Sequence, residues 1–254
     1  MKALPSLRVI VSLLGLLALP LGGPLFSAPP AAAPEARLRF LILDETSDAY
    51  SLQTGGTRRQ LNATPYVISR PVAAKPGERL EVFRQSVDPV TGKPRQVRVA
   101  SVSPPAGLTA GLVVLTPRPP PVDDPAAPPV YGVDFFDSDP GTFPPGSIRI
   151  LNLGRAAMGA QFGATQVVTP PGESRVVQPT TDERNRVFSK IAVQTAAGWN
   201  LLSNRVTILR PDERLTGVFV YSPSGLRHTY TRQELAERGP PPPGHFWLTF
   251  ADTL

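Results

Sequence analysis

Short runs in which apolar and polar positions alternate recur along most of this chain. In L-R-F-L-I-L (38–43), Leu38, Phe40 and Ile42 share one face while Arg39, Leu41 and Leu43 share the other. That period of two predicts a β-strand. Y-V-I-S (66–69), L-E-V-F (80–83), V-R-V-A-S-V (97–102) and G-L-V-V-L-T-P (111–117) continue the pattern, punctuated by turn signals at Gly55-Gly56, K-P-G-E (75–78) and D-P-V-T-G-K-P (88–94). The same grammar returns in I-R-I-L-N-L (148–153), A-Q-F-G (160–163), T-P-P-G-E-S (169–174), R-V-F-S-K-I-A-V (186–193), R-V-T-I-L (205–209) and G-V-F-V-Y (217–221).

The two series match in order. G-E-R-L-E-V-F (77–83) lies over D-E-R-N-R-V-F (182–188), and R-V-A-S-V-S-P (98–104) over R-V-T-I-L-R-P (205–211). L-T-A-G-L-V-V-L-T-P (108–117) lies over L-T-G-V-F-V-Y-S-P (215–223). The expected fold is all-β: two tandem immunoglobulin-like β-sandwich units related by internal duplication, each with about seven short strands, plus one short C-terminal helix. Copy one is expected at 36–117, a Pro-rich linker at 118–146, copy two at 147–223, and a tail without counterpart at 224–254.

Within the tail, Thr231 and Glu234 have capping-box spacing and Gly239 stands where a helix stops. H-F-W-L-T-F (245–250) then alternates again and suits an edge strand added to a sheet of this protein or of a partner. The tail is the expected contact surface.

Composition sharpens the picture. The chain holds 32 prolines, which resist helix interiors and favour short strands joined by turns. Its lack of cysteine excludes disulfides, thiolate nucleophiles and thiolate metal sites. A formal charge of +6 is carried mostly by arginines scattered among apolar strand positions, which reads as solvated strand faces rather than a nucleic-acid footprint. Residues 1–33 have the form of an export signal, with Lys2 and Arg8 ahead of an apolar stretch from Val9 to Leu19 that is shorter than the ~20 residues of a membrane span. Retention as an uncleaved anchor is the alternative.

Candidate chemistry is sparse. His228 and His245 are the only histidines, and neither has a second histidine or carboxylate at ligand spacing. Asp134, Asp137 and Asp139 with Gly141 have the most metal-like spacing, but no bidentate Glu follows and Pro140 interrupts. Glu78-Arg79 and Glu183-Arg184 follow turns and introduce strands, where they can pair across a neighbouring strand. Trp199, Tyr221, Tyr230 and Trp247 could form a sugar-stacking platform, though core packing is the default for such residues. No catalytic, cofactor or metal residue is assigned.

I-R-I-L-N-L, Q-F-G, P-P-G-E-S, D-E-R-N-R-V-F and V-Y-S-P together resemble secreted bacterial proteins built from tandem β-sandwich units. That resemblance carries no assigned active site. A second likeness is to periplasmic pilus-assembly chaperones, whose carboxylate-anchoring basic pair and donor strand have no place on this chain. The expectation is an exported, non-catalytic protein, periplasmic or extracellular, with a binding or assembly role in the cell envelope. Its expected partner is an envelope protein or cell-wall polymer, not nucleic acid. A carbohydrate- or polyanion-binding module and a hydrolase with dispersed carboxylates are the rivals.

Overall fold

The structure, a computed structural model, describes residues 35–252 apart from 45–48, 62, 64, 76, 89–90, 119–129, 224, 227–230 and 240–241. The expected export signal, the polyproline part of the linker, His228 and Tyr230 lie outside the described residues. Among the described residues no helix is long and apolar enough to cross a membrane.

Copy one contains β1 (Ala36–Ile42), β2 (Tyr50–Thr54), β3 (Thr57–Leu61), β4 (Val72–Ala74), β5 (Leu80–Val87), β6 (Pro94–Val102), β7 (Ala110–Arg118) and β8 (Val130–Asp137). Copy two contains β9 (Ser147–Asn152), β10 (Met158–Phe162), β11 (Thr165–Thr169), β12 (Ser174–Val177), β13 (Arg186–Thr195), β14 (Gly198–Ile208), β15 (Arg214–Ser222) and β16 (Gly244–Ala251). Copy one forms sheets ordered β4-β1-β7-β8 and β3-β2-β5-β6; copy two forms β12-β9-β15-β16 and β11-β10-β13-β14. Adding eight to each strand number converts one copy into the other. In both, the first and seventh strands pair in parallel and the remaining pairs are antiparallel. The protein is two tandem β-sandwich units of one topology.

Three apolar cores divide the four sheets into layers. Leu38, Phe40, Ile42, Leu52, Leu80 and Val82 fill copy one, and Ile148, Ile150, Phe162, Ile191 and Phe219 fill copy two. A third core joins Leu41, Leu43, Leu112 and Val114 of copy one to Leu151, Val218 and Val220 of copy two. The sheets containing β1 and β9 therefore pack against each other, and their central strands are buried on both faces. Double burial explains why L-R-F-L-I-L is nearly continuous in apolar residues, as parallel-paired inner strands usually are.

The linker and tail expectations are corrected together. Val130–Asp137, placed in the linker by composition, is strand β8 and completes the sheet edge beside β7. The tail strand β16 takes the same place beside β15, so each copy has eight strands and the tail strand does have a counterpart. Among the elements of the described residues, only the helix α1 (Arg232–Arg238) stands outside the repeat. It begins as expected: Thr231 Oγ1 accepts from Glu234 N–H, while the Glu234 carboxylate accepts the Thr231 N–H at 2.8 Å. Gly239, at φ +77°, donates its N–H to Leu235 O at 3.1 Å and ends the helix.

The E-R-x-x-V-F match is out of register with the fold. Gln53 pairs with Glu81 and Gln161 pairs with Lys190, each the last residue but one of its strand before the β2–β3 or β10–β11 turn. Bulges fall between Val82 and Phe83 and between Ile191 and Ala192. Phe83 is therefore equivalent to Ala192, not to Phe188, a shift of four. An even shift leaves inward residues inward, so alternation alone could not reveal it.

Candidate functional site

Charge is buried where the two copies meet. Arg39 on β1 and Arg149 on β9 are equivalent positions, both facing away from their own sandwich cores and into the seam. Arg39 pairs with Asp252, and Arg149 Nη2 reaches Ser138 Oγ at 2.8 Å and Asp252 Oδ2 at 3.5 Å. Arg214 at the start of β15 donates through Nη1 to the carbonyls of Ser138 and Phe143, each at 2.8 Å, and Thr216 Oγ1 donates to Asp252 Oδ2 at 2.5 Å. The guanidiniums of Arg149 and Arg214 lie 4.1 and 4.8 Å from the centroid of the Phe143 ring.

Burial pushes Arg149 down to about 10, with Asp252 opposing, and lowers Arg214 as well. Arg149 is 2 % exposed and Asp252 is fully buried. This is a seam that fixes how the copies pack, closed to ligand. The expectation of solvated arginines fails here because strands buried on both sides have no solvated face.

A second polar group caps copy one. Asp44 Oδ2 accepts from Tyr50 OH at 2.9 Å, from Tyr131 OH and, at 3.4 Å, from Arg84 Nη1. Burial, helped by the hydrogen bond to Asp44, raises the Tyr131 phenol far above its usual range. It stays a donor at physiological pH and offers no base. Above this group a cleft of about 540 Å³ opens between the copies, lined by Leu43, Tyr66, Arg118, Arg155 and Tyr221. Asp44 is the one carboxylate among its lining residues and it is already engaged, so no acid–base pair is assembled.

The remaining sequence candidates disperse. Asp134 and Asp137 sit three apart on β8, on opposite faces of the sheet, and Asp137 Oδ1 is taken by the Asp139 N–H at 2.8 Å. The calcium spacing therefore does not converge. Among the described residues no group of three His, Cys, Asp or Glu side chains is placed to hold a metal. His245 on β16 stacks on Phe219 at 5.2 Å, and burial lowers its pKa. Arg79 donates to Ser101 Oγ on the neighbouring strand and pairs with Glu81 of its own segment, both at 2.7 Å, while Glu78 accepts the Lys75 N–H at 2.9 Å within its turn. Glu183 and Arg184 lie in the turn that Asp182 closes by accepting the N–H groups of Arg184 and Arg186, each at 2.9 Å.

The aromatic residues part company. Trp247 packs on the copy-two core, with its ring so close over Gly217 that a Cβ there would fall 2.0 Å from it. The tail strand's Phe246, Leu248 and Phe250 join the seam, so they belong to this molecule rather than to an exposed contact surface. Trp199 departs from the core expectation. It stands 51 % exposed on the outer face of β14, against Gly159 of β10.

That outer face is organised in rows. Across β11, β10, β13 and β14, Val168, Gly159, Ala192 and Leu201 pair in sequence; the next row is Gln166, Gln161, Lys190 and Asn204. Gly159 and Ala192 form a low floor, and Trp199, Leu201 and Val168 rise beside it. The resulting trough measures about 480 Å³. Phe188, Val206 and Ile208 extend the exposed apolar surface. Sequence alternation marked these positions as outward but gave no sign that the apolar ones among them would gather.

No known family model matches the chain, and no curated protein is similar to it. Among solved structures it is similar to the tandem C2-domain pair of extended synaptotagmin 2, at 12 % identity over 79 % of this chain and 86 % of that one. The TM-score is 0.22, and a likeness that shallow carries no argument about the site.

Proposed function

We propose that this chain is an exported, non-catalytic component of the cell envelope that binds a partner through the outer sheet of its second copy. The observation that carries this reading is the set of exposed apolar residues that strand pairing brings to one face, Trp199, Leu201 and Val168 on one side of a polar row and Phe188, Val206 and Ile208 on the other. Apolar surface gathered in this way marks a contact site more often than chance exposure does. The polar groups brought together elsewhere are engaged with one another and serve packing, which favours binding over turnover. Export rests on the form of residues 1–33 and gives a periplasmic or extracellular location.

The test is a crosslinked pull-down from envelope extract, comparing mature protein with the Trp199→Ala/Leu201→Ala double variant. Loss of a discrete partner or of wall material in the variant supports the reading. Capture unchanged by the variant moves the contact elsewhere, and any turnover abolished by a single Asp or Glu substitution ends the non-catalytic reading.

A further inference from the structure

We propose that the trough on the outer sheet of copy two is a binding site for an acidic polysaccharide strand. The inference rests on the reading that this face is the contact surface, and it adds what the face recognises.

The trough has two unlike sides. One is the indole of Trp199 with Leu201 and Val168, an apolar wall beside the low floor of Gly159 and Ala192. The other is the row Gln166, Gln161, Lys190 and Asn204, lying two residues along the strands, ~7 Å away. Gln161 Nε2 is fixed by the Gly163 carbonyl at 2.9 Å, which orients the amide. Gln166 and Asn204 make no side-chain hydrogen bond among the described residues.

A lipid tail or an apolar peptide face would leave this polar row without partners. A sugar ring answers both sides, with its C–H face on the indole and its hydroxyls on the amides. The row crosses four neighbouring strands ~4.8 Å apart, so an extended glycan laid across them meets its members in turn.

Charge decides the class of glycan. β10, β11, β13 and β14 contain no Asp or Glu, in a chain that has 20 of them. Lys190 lies at the centre of the polar row and makes no ion pair among the described residues; its ammonium rests 5.6 Å from the centroid of the Phe188 ring. Arg186 is committed to Asp182 at 2.8 Å, and Arg205 to Thr249. A lone ammonium amid neutral amides, with no carboxylate on the sheet, complements a glycan that carries carboxylates.

The test is affinity electrophoresis of the mature protein through gels containing soluble polygalacturonate, alginate or hyaluronate, with neutral dextran as reference. Retardation by at least one of the uronate polymers is expected. Trp199→Ala and Gly159→Val, the latter lifting the indole that lies 3.2 Å from a Cβ at that position, are each expected to weaken it at least tenfold. Lys190→Gln is expected to weaken it three- to tenfold and to flatten its salt dependence. Thermal melting confirms that each variant is folded.

Retardation by none of the uronates, or retardation that Trp199→Ala leaves unchanged, overturns the proposal; equal retardation by dextran overturns its acidic part. If envelope capture depends on Trp199 while no uronate binds, the glycan inference falls and the face remains a contact with another partner, a protein among the candidates. If neither depends on Trp199, both readings fall.

Discussion

The outer sheet of copy one and the outer sheet of copy two share a topology, a bulge and an inward pattern, yet they meet solvent in opposite ways. In copy one, Glu81 binds Arg79 at 2.7 Å and Arg98 at 3.3 Å, and Arg58 covers the Phe83 ring at 4.4 Å while donating to Gln53 at 2.9 Å. That face is closed by its own residues. At the equivalent positions of copy two, Lys190 replaces Glu81, Ala192 replaces Phe83, Gly159 replaces Ser51, Leu201 replaces Arg98 and Trp199 replaces Gln96. The carboxylate and the Phe83 ring are gone, and the Trp199 indole lies against the floor at Gly159. Inward residues in a sandwich are constrained by packing, whereas outward ones are free to diverge after a duplication. The two faces therefore separate what the fold requires from what one copy has taken on.

The largest effect is expected where the copies are held together. Asp252→Ala leaves the buried guanidiniums of Arg39 and Arg149 without their common carboxylate and is expected to cost about 3–5 kcal/mol, read as a fall in the urea midpoint. A shift below ~1 kcal/mol would show that the seam does not depend on that charge.

Next comes Gly217→Val, which drives a side chain into the Trp247 ring and is expected to cost about 1–3 kcal/mol in a thermal melt. An unchanged melt would mean that Trp247 moves aside freely and does not anchor β16.

The faces themselves respond less in stability. Glu81→Lys removes the shared partner of two exposed arginines, for an expected loss of no more than about 1 kcal/mol. Lys190→Glu in copy two is expected to stay within ~0.5 kcal/mol while altering binding. Equal stability losses from both swaps would erase the distinction between a closed face and an open one.

The smallest effect is a pH slope. Burial holds His245 below the ordinary histidine pKa, so on acidification the unfolded chain takes up the proton first. Stability is expected to decline as pH falls through ~6.5 and to level off below the folded-state pKa. His245→Phe should flatten that decline; an identical pH profile in the variant would assign it to other groups.

Much of the architecture was legible because β-structure writes a period of two into the chain. L-R-F-L-I-L and I-R-I-L-N-L announced equivalent strands, and the prolines and glycines marked the turns. The helix was legible to the residue, since the cap at Thr231 and Glu234 and the stop at Gly239 are local chemistry. β8 was hidden because it follows a polyproline stretch whose composition spoke for a linker. The register of the repeat was hidden because shifts of two or four keep every side chain on its proper face.

The trough was the least legible part. Gly159, Gln161, Lys190, Ala192 and Trp199 are spread over some forty residues of sequence and come together only through the pairing of β10, β13 and β14. Alternation, capping and turn chemistry are properties of neighbours along the chain, so the sequence by itself determined most of the strands, the helix and the duplication, while the strand expected at 66–69 is a turn and bend. Which arginines are buried, which strand completes each sheet and which outer face stays open depend on residues far apart in the chain, and only sheet pairing and the stacking of the two copies could decide them.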